Sequence, residues 1–226
     1  LTSTVLRTTG ALYTGDQPAV TVPSAQLVSI GNPYASRIDV RSINKPGVQD
    51  FFYVWDPKLG TGSTYGLGAF QTFYKNGPNY EVIPGGGSYG TFGTPQNYIE
   101  SGLAFFVRGS DGGSLMFKET DKASSSNNVF LINSQPQLVR ANLHAVTATG
   151  TALMDGALVM FDDSYSSRVD KDDAVKMKNT SENVSLRRDN KLLALERRPA
   201  VGSTDTLYLN LTGVKVQNYK WEIILQ

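Results

Sequence analysis

The chain has 226 residues, 40% of them hydrophobic and 18% charged, with a net charge of +1. That length suits one large all-β domain or two small ones, and the near-neutral balance leaves no basic surplus for phosphates or an anionic membrane, so no nucleic-acid partner is expected. Cysteine is absent, which excludes a disulfide framework, a thiolate zinc site and a cysteine nucleophile.

The longest local apolar runs are short, as in Leu103 to Val107, far below the roughly 18 residues that span a bilayer. No membrane insertion is expected. Leu1 is not an initiator methionine and no signal peptide is visible, so a fragment or mature form of a longer precursor is expected. The tripeptides beginning at Asn179, Asn183 and Asn210 fit the N-glycosylation acceptor pattern, which carries no meaning in a bacterial protein.

In chain order, Val5 to Arg7 and Ala11 to Tyr13 read as short strands joined by a tight turn. Gln26 to Ile30 reads as a strand that stops at Gly31-Asn32-Pro33, because the residue before a proline is held extended. Ile38 to Val40 is another short strand. Asp50 to Trp55 combines aromatic and β-branched residues without a breaker. It is apolar on both alternating faces, which predicts a central strand.

From Gly60 to Gly93 ten glycines alternate with aromatic residues, which predicts loops around a strand at Ala69 to Tyr74. Gly85-Gly86-Gly87 cannot hold regular structure without entropic cost. Leu103 to Val107 and Ser114 to Lys118, separated by Gly109 to Gly113, predict a hairpin. Ser124 to Asn128 reads as a loop and Val129 to Ile132 as a strand. Gln135-Pro136-Gln137 is a candidate boundary.

Beyond it, Val139, Ala141, Leu143, Ala145 and Thr147 form the more apolar face of a half-buried strand. Gly156 to Phe161 predicts a strand entering an acidic stretch. Asp172 to Lys178 predicts a helical turn, with an aspartate as N-cap and lysines at its end. Val184 to Arg187 and Leu192 to Glu196 flank the turn Asp189-Asn190 and predict a second hairpin. Thr206 to Leu211 and Tyr219 to Ile223 alternate and close the chain.

Many short strands with minimal helix predict an all-β fold, an antiparallel β-sandwich or jelly roll. Two packed β subdomains fit, an aromatic- and glycine-rich one over 1–135 and a sandwich over 136–226, as does one domain over 1–226.

Residues that could carry chemistry are few. Asp162, Asp163, Asp170, Asp172 and Asp173 supply the oxygens calcium takes, if the loop between them folds back. The pattern is not an EF-hand, and it favours a solvated turn with capping aspartates. Gly86-Gly87-Ser88-Tyr89-Gly90 matches the nucleophile-elbow spacing, but no helix is predicted after it and His144 is the only histidine. Glu81, Glu100, Asp56 and Asp111 offer carboxylate pairs for a glycosidase. Trp55, Tyr65, Tyr74, Tyr80 and Tyr89 offer rings that could stack on sugars; the competing reading is aromatic core.

Several segments in order, Ile30 to Asp39, Phe52 to Pro57, Ile99 to Val107, Asp155 to Asp163, Asp173 to Lys176 and Leu195 to Pro199, carry a family resemblance. The chain resembles, from about Gly10 to Ile224, the near-C-terminal region of large secreted surface proteins of Bacteroidetes-type bacteria, ahead of a type IX secretion sorting domain. The resemblance implies export, a secreted or cell-surface location, an all-β fold and other domains of the same protein as partners. It transfers no catalytic residues. The expected function is a non-catalytic structural or adhesive module, with a carbohydrate-binding module taking glycans as the alternative and a glycoside hydrolase-like enzyme third. No cofactor is expected beyond calcium.

Overall fold

The computed structural model describes residues 9–61, 66–123, 137–202, 205–215 and 217–226. Tyr65, the predicted strands at Val5 to Arg7 and Val129 to Ile132, and the predicted loop at Ser124 to Asn128 lie outside the described residues. In the first half run β1 (Val20–Val22), β2 (Leu27–Gly31), β3 (Ile38–Asp39), β4 (Val48–Asp56) and β5 (Ala69–Asn76). They are followed by β6 (Asn79–Ile83), β7 (Tyr98–Ile99), β8 (Ala104–Gly109) and β9 (Gly113–Leu115). The second half holds β10 (Gln137–Thr147), β11 (Gly150–Phe161), β12 (Ala174–Val175) and β13 (Asn183–Arg188). Then come β14 (Lys191–Arg198), β15 (Leu209–Thr212) and β16 (Tyr219–Leu225). Among the described residues the only helical segment is a 3-10 turn at Glu119–Asp121, so the chain is all-β.

The first sheet has five antiparallel strands in the order β2-β8-β4-β5-β6. β4 is central, as its two apolar faces predict. Phe52 and Val54 face one way, into a core of Phe73, Tyr80, Val82 and Phe105, roofed by β3–β7 and β1–β9. Phe51 and Tyr53 face the other way, with Tyr74 and Ile83, onto Leu138, Leu158, Met160, Ala174 and Leu195 of the second sheet. Two sheets sharing one apolar layer make a sandwich. Each large side chain buried there contributes roughly 1.5–3 kcal/mol. The first sheet is built wholly from strands before residue 135 and the second wholly from strands after it.

The second sheet runs β15-β13-β14-β11-β10-β16, with β12 alongside β14. Its pairs are antiparallel except β11 with β14, which run parallel from Leu158↔Leu195 to Phe161↔Arg198. Tyr219 on β16 donates its hydroxyl to Glu182, just before β13, at 2.6 Å. Three strands separate β16 from β13 in the sheet order, so a flat sheet would hold them roughly 19 Å apart. The sheet therefore curls into a half-barrel. The inside of the curl is a third core, of Leu143, Ala157, Val159, Val184, Leu186 and Leu193.

This curl explains one departure from the sequence reading. β10 was expected to be half-buried, yet Leu138, Arg140 and Asn142 are buried as well as Ala141, Leu143 and Ala145. One face meets the first sheet and the other lines the curl. The fully buried Arg140 guanidinium lies 4.0 Å over the Phe92 ring and donates to the Val82 carbonyl, tying β10 to β6.

The predicted hairpin at Gly109 to Gly113 does not form. β8 pairs with β2 and β4, whereas β9 leaves to pair with β1. A Cβ at Gly109 would stand 2.2 Å from the Pro23 carbonyl oxygen, and one at Gly113 1.9 Å from that of Pro46. Those glycines admit neighbouring backbone rather than making a hairpin turn. The predicted helical turn at Asp172 to Lys178 is instead a turn into β12. Ala11 to Tyr13 takes no regular structure. β6 was hidden in the glycine-rich segment. It follows β5 across the two-residue turn Gly77-Pro78. The second hairpin, β13 to β14, forms as predicted, with Asp189 and Asn190 both at positive φ (46° and 60°), the geometry of a type I′ turn.

Candidate functional site

The acidic stretch unfolds into two separate structural devices. Asp162 is exposed and accepts from both the backbone N–H and the hydroxyl of Ser164, which hold its carboxyl below the usual range. Asp163 is exposed. Asp170 accepts from the Asp172 N–H at 2.8 Å. Asp173 is buried. It accepts from the Asp170 N–H through one oxygen and from the Arg197 N–H through the other, at 2.8 and 2.7 Å. Burial pushes its carboxyl up to about 6, against the pull of those two N–H groups. The aspartates thus close turns and strap β12 to β14. Among the described residues, no three His, Cys, Asp or Glu side chains lie together where they could hold a metal ion.

Asp155, on the strand that leads into the stretch, has a different role. It is fully buried on β11. One oxygen accepts from Lys176 Nζ at 2.6 Å and the other from the Val184 N–H at 2.7 Å. One carboxylate therefore joins β11, the segment after β12, and β13. Burial raises the Asp155 carboxyl despite the adjacent ammonium. A cleft of about 190 Å³ lined by Lys176, Lys178, Asn183 and Ser185 lies beside it. Small-molecule sites are usually larger, from roughly 300 Å³.

Two members of the aromatic set are closed to a sugar. Tyr74 and Tyr80 are fully buried, with their hydroxyls donating to Glu81 and Asp50. Burial raises the pKa of both. Neither can offer a ring face to a ligand, which corrects the sequence expectation. The reason lies in strand register: each hydroxyl finds a carboxylate on another strand of the sheet, which offsets the cost of burying it. Tyr89 is half-buried, edge-to-face against Phe73 at 5.0 Å. Trp55 is 36% exposed and meets Phe70 edge-on at 4.9 Å.

The nucleophile-elbow reading also fails. The Ser88 hydroxyl and N–H both go to the buried carboxylate of Asp56, at 2.8 and 2.6 Å, in a loop with no helix after it. His144 sits on the other sheet, 3.4 Å from Glu222. Asp56 and Glu81 do not face each other. Glu81 pairs with Tyr74, which pairs with Phe51, five residues along β4 from Asp56. That is roughly 16 Å of strand, beyond the about 5 to 10 Å that a glycosidase pair needs.

The feature that sequence reading missed is the seam of the half-barrel. β15 and β16 stand at opposite ends of the second sheet's order, yet they follow one another in the chain through residues 213–218. Among the described residues no ladder joins them. Leu209 and Leu211 pair with Leu186 and Val184, so they sit on the inner face. Trp221, Ile223 and Leu225 pair with Leu143, Ala141 and Val139 and share that face. Their exposures are nonetheless 42% and 37% on β15, and 39%, 51% and 72% on β16. The alternation of these strands was legible. Their place at two open edges was not, because sequence spacing carries no sheet order.

No curated protein and no solved structure matches the chain. Residues 2–225 match the family model described as Domain of unknown function (DUF8693), and the chain belongs to that family.

Proposed function

We propose that the chain is a non-catalytic structural or adhesive module of a larger secreted surface protein, of the kind made by Bacteroidetes-type bacteria. One observation carries this reading: the buried acids act as struts. Asp56, Glu81, Asp155 and Asp173 use their oxygens on backbone N–H groups and on side chains that fasten strands. The cysteine-free composition and the resemblance of the ordered segments support export, and with it a surface location and other domains of the same protein as partners.

A carbohydrate-binding role is the second reading. Trp55, backed by Phe70, is the observation that favours it. A glycan array and a calcium titration decide between the two. A structural module unfolds cooperatively at a temperature unmoved by glycans, calcium or chelator. Array hits that vanish in Trp55→Ala overturn that reading in favour of sugar binding. A melting temperature that rises with calcium and falls with chelator overturns the metal-free module.

A further inference from the structure

We propose that β16 is a self-recognition edge, on which a second copy of this chain pairs antiparallel through its own β16 about a dyad at Trp221.

The backbone sets up the contact. Gln226 and Leu138 exchange both hydrogen bonds, and Asn218 accepts from Val146, so the even-numbered residues of β16 turn their N–H and C=O toward β10. By alternation, Tyr219, Trp221 and Ile223 direct theirs away from β10, at an edge that no strand among the described residues covers. Such a row is a template for another strand. Trp221 and Ile223 add apolar surface on the inner face, left half-exposed because β15 does not close the seam.

Charge selects the partner and the register. The opposite face of β16 carries Lys220 and Glu222, both exposed and two residues apart. Glu222 is held on that face by Asn142 at 3.0 Å and by His144. In an antiparallel pair centred on Trp221, Lys220 of each copy stands opposite Glu222 of the other, twice over. Trp221 then meets Trp221, and Tyr219 meets Ile223. Centring on Glu222 would place the two glutamates opposite each other, which is destabilising. Centring on Ile223 sets Glu222 against Ile224 and makes no ion pair. β15 is shorter and carries no charged residue in its four positions, so it has no comparable code. The strand is thus complementary to itself in one register, as a two-fold interface requires.

Sedimentation equilibrium of the chain from roughly 1 to 200 µM tests this, since self-association must follow mass action. The wild type shows a monomer–dimer equilibrium. Lys220→Glu sets acids against acids and weakens the dimer by at least about tenfold. The double reversal Lys220→Glu with Glu222→Lys restores it, because each charge again meets its opposite. Thermal melts confirm that each variant folds. Lys220→Glu leaves the Asn142 contact intact and so stands alone if Glu222→Lys is unstable. A wild type that is monomeric throughout overturns the proposal and leaves the edge to a strand from another protein. A dimer that either single reversal leaves unchanged overturns it as well.

Discussion

Lys176 Nζ lies 2.6 Å from Asp155 Oδ1, and both side chains are all but sealed from water, at 5% and 0% exposure. Such a pair is weak evidence of net stabilisation, because desolvation offsets much of the attraction. Breaking it is another matter. Lys176→Met strands a buried carboxylate, and a loss of roughly 3–5 kcal/mol in urea unfolding at neutral pH is expected. Without the ammonium the Asp155 carboxyl rises further. A folded-state pKa above the unfolded one contributes stability that is lost as pH rises, so the variant's deficit is smaller in acid than at pH 8. Adding Asp155→Asn, which keeps an acceptor for the Val184 N–H, recovers much of the loss. A Lys176→Met variant within about 1 kcal/mol of wild type removes the pair as a structural lock.

Asp173 sets a pH window. Its folded carboxyl is pushed up to about 6 by burial, against about 3.9 in an unfolded chain. The folded state therefore holds the proton longer. The contribution of this group is fully present below about pH 4 and is lost as pH rises through about 6. The shift corresponds to at most roughly 3 kcal/mol, and solvent screening lowers that figure. Asp173→Asn cannot titrate, so the stability of wild type minus variant should fall between about pH 4 and 7 by that order. A flat difference across the window shows that Asp173 does not carry the shift.

Some of this was legible in the sequence and some was not, for physical reasons. The Asp189-Asn190 turn was legible because left-handed conformations are local and few residues tolerate them. β4 was legible because a strand apolar on both faces has to be covered twice. Asp172 to Lys178 misled because a side-chain oxygen bonding a nearby N–H has the same local signature in a helix cap and in a turn. Val175 and the pull of β14 decided for strand, through the Lys176 N–H to the Leu192 carbonyl. Tyr74 and Tyr80 looked available because they lie in a glycine-rich segment that reads as loops. Their carboxylate partners Glu81 and Asp50 became visible only once strand register was known.

Gly87 is the point where the loop over Asp56 leaves no room. It has φ +65°, and an added Cβ would stand 2.1 Å from Asp56 Oδ2. Gly87→Ala should cost roughly 2–4 kcal/mol, part backbone strain and part displacement of a buried carboxylate. Gly93 provides the control. It has φ +76° but nothing within 4 Å of its added Cβ, so Gly93→Ala should cost only the backbone part, roughly 1–2 kcal/mol. Chemical denaturation of the two variants measures the difference. Equal costs mean that the Asp56 carboxylate yields freely and does not pin the loop.

The shared core predicts that the two sheets unfold together. Phe51, Tyr53 and Tyr74 from one sheet pack on Leu138, Leu158 and Leu195 from the other, and Tyr53 donates to the Val175 carbonyl across the layer at 2.8 Å. The chain's two tryptophans, Trp55 on β4 and Trp221 on β16, report on one sheet each. In Trp221→Phe the fluorescence follows the first sheet, and in Trp55→Phe it follows the second. Superimposable urea transitions are expected, because neither sheet can expose this layer without the other. Leu158→Ala should move both probes together, by roughly 2–5 kcal/mol. Two separate transitions, with Leu158→Ala acting on the Trp221 signal alone, would instead make the halves before and after residue 135 independent folding units that merely touch.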